Sequence, residues 1–124
     1  MNNKQSAFTL LEIMLVVAII GVLLAAAIFK MAPALDTAKA MRTRADIQSI
    51  RTMLLSYNGL NGYYPSSDQG LSALVPRLME EVPKDAWGTP YIYRCPGRAN
   101  PNGYDLFSAG PDRIPDTGDD DYGR

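Results

Sequence analysis

Residues 8–29 read Phe-Thr-Leu-Leu-Glu-Ile-Met-Leu-Val-Val-Ala-Ile-Ile-Gly-Val-Leu-Leu-Ala-Ala-Ala-Ile-Phe, and this stretch decides the architecture. From Ile13 to Phe29 it is an unbroken apolar run of about 17 residues, at the short end of what a helix needs to cross a bilayer. Phe8 to Leu11 extend it to about 22 positions, interrupted only by Glu12. A cleavable secretory signal is the competing reading. Its apolar core would be shorter and free of acid, although Ala25-Ala26-Ala27 resembles a cleavage site and Lys4 a minimal basic region. The length and the carboxylate favour a retained membrane helix. Glu12 itself reads two ways. An acid at the edge of an apolar span is costly unless paired, which marks a functional site. The same acid in a first helical turn is also favoured by the helix dipole and reaches the headgroups.

Outward from that stretch, the chain has 124 residues, 12 basic and 13 acidic, for a formal net charge of -1. One domain fits this length. The mean hydropathy of -0.10 hides a division, because an apolar helix near the start leaves a much more polar remainder. Near-neutral charge offers no basic face for nucleic acid. There is no histidine, which removes Ser-His-Asp and Cys-His catalysis and the commonest zinc ligand. No nucleophile-base pair suggests itself, so the expectation is a protein that is not an enzyme. Cys95 is the single cysteine and has no internal disulfide partner.

The string Ala7-Phe8-Thr9-Leu10-Leu11-Glu12 resembles the processing motif of type IV pilins and pseudopilins. The resemblance implies a leader over 1–7, cleaved between Ala7 and Phe8 by a prepilin peptidase, N-methylation of Phe8, and a role for Glu12 in filament assembly. Ala7 stands where the family usually has Gly. Charge placement points the other way on topology: Lys30, Lys39, Arg42 and Arg44 follow the span and only Lys4 precedes it, so the positive-inside tendency argues against an outward C-terminal domain. That tendency is statistical and the motif is specific, so the reading follows the motif.

Residues 8–32 are then the membrane and filament-core half of a long helix, and 33–124 the head. Ala32-Pro33 is expected to bend the helix without ending it. Leu35, Ala38, Met41, Ala45, Ile47, Ile50, Leu54 and Tyr57 recur every three or four residues, predicting an amphipathic helix over 33–58 that Asn58-Gly59 stops. Within 59–90, Ser66, Ser67 and Asp68 are candidate caps of a short helix bearing Leu71, Leu74, Val75 and Leu78, with Pro76 breaking it. Tyr91–Arg94 and Tyr104–Ser108 read as strands of a hairpin, giving a small α+β head.

Asn61-Gly62-x-Tyr64-Pro65, Gln69-Gly70-Leu71-x-Ala73-Leu74, Pro83-x-Asp85-x-Trp87-Gly88-x-Pro90-Tyr91 and Phe107-Ser108-x-Gly110-x-Asp112 are similar to the major pseudopilins of type II secretion systems. With the N-terminal motif, the similarity runs from Ala7 to Asp121. The loop-forming Gly and Pro residues, with Trp87 as a buried aromatic, point to structural roles.

Five aspartates lie between Asp112 and Asp121 in a turn-rich segment. Crowded carboxylates repel unless solvated or bridged by a hard cation, and calcium accepts six to eight oxygens in loose geometry. With no His and a distant Cys, a soft metal has no ligands here. The spacing does not fit an EF-hand. A solvated acidic terminus accounts equally well for the composition. The family resemblance implies calcium, held by Asp112, Asp119 and Asp120, by the carbonyls of Ala109 and Ile114, and by the Ser108 hydroxyl. Arg113 stands where Gly is frequent.

The resemblance thus implies a pilin-like fold and a subunit that polymerises into a periplasmic filament driving secretion across the outer membrane. It would be inserted once in the bacterial inner membrane with its C-terminal domain in the periplasm. The implied partners are further copies of the chain, minor pseudopilins, the prepilin peptidase and an inner-membrane assembly platform. Two other readings remain: a pilin of a surface pilus or DNA-uptake system, and a membrane-anchored calcium-dependent binding module.

Overall fold

The computed structural model describes residues 7–123. Element order is helix α1 (Leu10–Asn61), a 3-10 turn over Gly70–Leu74, strand β1 (Ile92–Arg94) and strand β2 (Asp105–Phe107). The chain divides into two compact units between Asp36 and Thr37, four residues beyond the boundary read from the sequence. The leader falls mostly on residues outside those described.

In the first unit the helix begins where the sequence supplies a cap. The Glu12 backbone N–H donates to Thr9 Oγ1 at 3.2 Å, one half of a Thr-x-x-Glu capping box, and Ile13 N–H reaches the Thr9 carbonyl at 3.3 Å. From there the side chains are apolar all round. The window is long and apolar enough to cross a membrane, and none of it is buried within the chain. Pro33 lies inside α1 without ending it.

In the second unit α1 buries Thr43, Ile47, Ile50 and Leu54, a stripe with spacings of four, three and four. Ile47, Ile50 and Leu54 of the expected face are thus buried, and the rest of it is corrected: Leu35, Ala38 and Met41 are exposed because the packed stripe starts at Thr43, and Ala45 because it lies off that stripe. The Thr43 hydroxyl tolerates that burial by accepting from Ala86 N–H at 3.4 Å. The helix also runs past Asn58-Gly59 and stops at Asn61. Gly62, at φ +81°, sends its N–H to the Asn58 carbonyl at 2.7 Å, and Asn61 Nδ2 caps the Tyr57 carbonyl at 3.0 Å. Gly62 satisfies the cap geometry, whereas Gly59 stays helical.

Ser66 and Gln69 bond reciprocally, at 3.2 and 3.4 Å, so Ser66 is the residue that opens the following turn. Ser67 is used elsewhere, both donating to and accepting from the Cys95 backbone. The expected helix shortens to a single 3-10 segment. Val75 precedes Pro76 and adopts φ -94°, ψ 140°, as the proline ring demands of its neighbour. Leu71 and Leu74 are buried, and Leu78, Met79 and Val82 still pack on the core from the irregular chain beyond.

The strands pair antiparallel, with Ile92 opposite Phe107, Tyr93 opposite Leu106 and Arg94 opposite Asp105. A two-stranded ribbon is marginal alone. It is held by Leu106, buried in one cluster with Ile47, Ile50 and Leu54 of α1, by Phe107, buried and stacked on Tyr122, and by Tyr91, whose hydroxyl donates to Asp46 Oδ2 at 2.9 Å. Burial, then that carboxylate, push the Tyr91 phenol far above its ordinary pKa. Trp87 is half-buried, not buried as expected. Its turn is organised by Asp85, a short polar side chain that can reach four donors where an indole cannot.

Candidate functional site

Two places carry chemistry. At the N-terminal motif, Phe8 is 81% exposed and Glu12 projects from the first turn of α1, beside Ile13 to Val17. An acid at this end is favoured by the helix dipole. Ala7 and Phe8 are exposed and precede the helix, so the bond between them lies in non-helical backbone.

The second place is the segment after β2. Ser108 and Asp121 form an antiparallel bridge, N–H to carbonyl at 2.9 and 3.0 Å, which closes residues 109–120 into a loop. The last residues are tied to α1 along one face. Arg44 Nε lies 3.2 Å from Asp121 Oδ2, Gln48 Nε2 donates to the Gly123 carbonyl at 2.7 Å, and Arg51 Nη2 to the Tyr122 carbonyl at 2.7 Å. Gly123 (φ +71°) lies so close to Ile47 that a Cβ would meet its Cγ2 at 2.7 Å. The loop is therefore anchored at its neck and just beyond.

Inside it, carboxylates converge on a hydroxyl. Thr117 Oγ1 lies 2.8 Å from Asp112 Oδ2, 2.5 Å from Asp119 Oδ1, 3.4 Å from Asp120 Oδ1 and 3.0 Å from the Ile114 carbonyl. One hydroxyl proton faces four acceptors, so most of that oxygen charge is left for something else to neutralise. Backbone N–H groups help: Asp112 N–H donates to Asp119 Oδ2 at 3.1 Å, and Ile114 N–H to Asp112 Oδ1 at 2.9 Å. Hydrogen bonds, first from Thr117, hold the Asp119 carboxyl below the usual carboxylate range. Among the described residues, no three acidic or thiol side chains stand at ligating range of one ion as placed. The set nevertheless fits a hard cation in kind. It is all oxygen, it includes a carbonyl, and it is focused on one atom.

Of the expected ligands, Asp112, Asp119, Asp120 and Ile114 are thus brought together. Ala109 is buried beside the neck. Ser108 is not in the cluster: fully buried, its Oγ donates to Asp85 Oδ2 at 2.6 Å and accepts from Gly110 N–H at 3.1 Å. Its side chain points inward, to Asp85, and away from the carboxylates. Thr117 escaped the sequence reading, and the signal was present, since it stands two and three residues before Asp119 and Asp120. Arg113, where glycine is frequent, adopts φ +59°, the region glycine favours.

Asp116 and Asp121 stand apart from the cluster. Asp116 takes both Arg94 nitrogens at 2.8 Å, with Arg98 at 4.0 Å. That pairing, led by the Arg94 hydrogen bond, depresses the Asp116 pKa. A depressed carboxylate stabilises the fold above its ordinary pKa and loses that contribution as pH falls through the folded value. An NMR titration of the Asp116 carboxyl is expected to show a midpoint below the ordinary aspartate range, and Arg94→Gln to raise it. Equal midpoints in the two proteins would remove the ion pair as the cause.

The sequence model of the family described as "Type II secretion system (T2SS), protein G" matches residues 30–123, and that of the "Prokaryotic N-terminal methylation motif" matches residues 2–28. The chain is 38% identical to the type II secretion system core protein G of Pseudomonas aeruginosa, over 90% of this chain and 87% of that protein. It is 37% identical to the corresponding protein of Dickeya chrysanthemi, over 100% and 88%, and 36% identical to that of Escherichia coli K12, over 96% and 90%. Its fold resembles the crystal structure of the major pseudopilin from the type 2 secretion system of enterohaemorrhagic Escherichia coli, with TM-score 0.64 and 32% identity over 71% of this chain and 84% of that one. The chain belongs to the protein G family of type II secretion systems and is a pilin-like subunit of the major pseudopilin kind.

Proposed function

We propose that this subunit is stored in the inner membrane by the first half of α1, with its head in the periplasm, and polymerises with copies of itself into the filament that drives secretion. The observation that carries this reading is the placement of one carboxylate, Glu12, in the first turn of a helix whose stretch to Phe29 is otherwise uncharged and whose apolar window is unburied within the chain. Such a charge in an apolar setting calls for a cationic partner. Cleavage between Ala7 and Phe8 creates one: an N-terminal amine, which a neighbouring copy presents to Glu12. Methylation of that amine keeps its charge. The prepilin peptidase, the minor pseudopilins and the assembly platform of the inner membrane are its further partners.

The head takes calcium in the 109–120 loop. Asp112, Asp119, Asp120 and the Ile114 carbonyl hold it, and Thr117 gives up its place among them. When bound, the ion supplies the positive charge that these oxygens lack. Residues Arg44, Gln48 and Arg51 then keep the closed loop on α1.

Mass spectrometry of the mature protein tests the class: the expected N-terminus is methylated Phe8. Glu12→Ala is expected to leave the head folded by circular dichroism and abolish filaments in cells. A mature chain cut near Ala27, or filaments of Glu12→Ala at wild-type abundance, overturns the reading.

A further inference from the structure

We infer that Asp85, remote in sequence from the acidic loop, is the positioning residue that presets the loop for its cation by orienting Ser108 at the neck. The inference rests on the cation reading of the loop given above.

Asp85 is 3% exposed and its carboxylate receives four donors. Oδ1 accepts from Trp87 N–H at 3.1 Å and Thr89 N–H at 2.8 Å, and Oδ2 from Thr89 Oγ1 and Ser108 Oγ, each at 2.6 Å. An ionised carboxylate only accepts. The Ser108 proton must therefore point at Asp85, which leaves the Ser108 oxygen to accept the Gly110 N–H at 3.1 Å. Ser108 is also the residue whose backbone pairs with Asp121 to close the loop. Gly110, at φ +74°, is pressed against the Asp119 backbone carbonyl, and a Cβ there would collide with it. One chain of contacts thus runs from Asp85 through Ser108 and Gly110 to Asp119, a residue of the acidic cluster.

The direction of that chain depends on Asp85 being a pure acceptor. Asparagine has nearly the same shape. Keeping its oxygen on the Trp87 and Thr89 N–H groups would aim its NH2 at Ser108. The Ser108 hydroxyl would then have to accept there as well as from Gly110 N–H, and its buried proton would lose the acceptor that fixes its orientation. The substitution removes no oxygen from the loop, so it separates positioning from ligation. Ser108→Ala removes the same link from the other side.

The test uses the full chain in detergent, with calcium binding followed by calorimetry and terbium as a luminescent probe. Lifetimes in H2O and D2O count the waters left on the bound terbium. Asp85→Asn and Ser108→Ala are each expected to weaken calcium at least tenfold with the water count unchanged, and the double variant to be no weaker than Asp85→Asn alone. Asp119→Ala is the contrast: it weakens binding and admits an extra water. Calcium affinity of both single variants within twofold of wild type overturns the inference, as does an added water in Ser108→Ala, which would make Ser108 a ligand. If Asp85→Asn does not fold, Ser108→Ala decides alone. A wild-type chain that binds no calcium overturns the cation reading itself, a result distinct from wild-type binding that is indifferent to Asp85.

Discussion

Asp105→Ala is expected to lower the stability of the head by about 3 kcal/mol, since charge-assisted hydrogen bonds contribute roughly 1.5–3 kcal/mol each and exposed turn amides recover part of the loss from water. Asp105 is 4% exposed at the start of β2. Its Oδ2 accepts from Arg98 N–H at 2.6 Å and Ala99 N–H at 3.0 Å, and its Oδ1 from Asn100 N–H at 3.1 Å. One side chain thereby organises the connection between the strands, where Gly97 leaves the space its carboxylate fills. For a domain of this size the melting temperature should fall by roughly 12–24 °C. Asp105→Asn should cost about half as much, because its oxygen can keep the two bonds at Oδ2 while its NH2 faces the Asn100 N–H. Thermal unfolding by circular dichroism checks both. A drop in Asp105→Ala no larger than in Asp105→Asn would show that the carboxylate does not organise the turn.

Calcium is expected to raise the melting temperature of the wild-type head, by an amount equivalent to about 2.7 kcal/mol when the ion is at 100 times its dissociation constant. Asp112→Ala and Asp119→Ala should each abolish most of that rise. In chelator both variants should melt close to wild type, because the two carboxylates are exposed there and mutual repulsion offsets their bonds to Thr117. Equal melting of the wild type with calcium and with chelator would refute the metal site. The loop design favours a large effect. Its neck and tail are already fixed by Ser108–Asp121 and by Arg44, Gln48 and Arg51, so little ordering entropy remains to oppose binding.

Much of this was legible in the chain because local chemistry governs it. A long apolar run must be helical wherever water is absent, and Thr9 and Glu12 carry the cap in their own spacing. The strand pair followed from aromatic and apolar clusters on either side of Gly and Pro. The α1 stripe was misplaced by several residues because Leu35, Ala38, Met41 and Ala45 have helical spacing too, and periodicity does not say where the partner surface begins. Its end was misplaced for a related reason: Asn-Gly occurs at 58–59 and again at 61–62, and only the second glycine takes positive φ.

The acidic segment shows the same division at the site. Its composition restricted any ligand to a hard cation held by oxygens, since charge and hardness belong to the residue types, and left a solvated acidic terminus equally open. Which oxygens meet was a question of the tertiary fold. Thr117 sits at the focus although hydroxyls are poor advertisements of a site, and Ser108 turns inward to Asp85, 23 positions earlier in the chain. Sequence by itself determined the long apolar helix, the class of the head and the all-oxygen, acidic character of its last loop, because these depend on hydrophobicity and charge along neighbouring residues. The tertiary structure alone decided where the head begins on α1, which side chains face the acidic loop and what fixes its neck, because those depend on contacts between segments that the order of residues does not bring together.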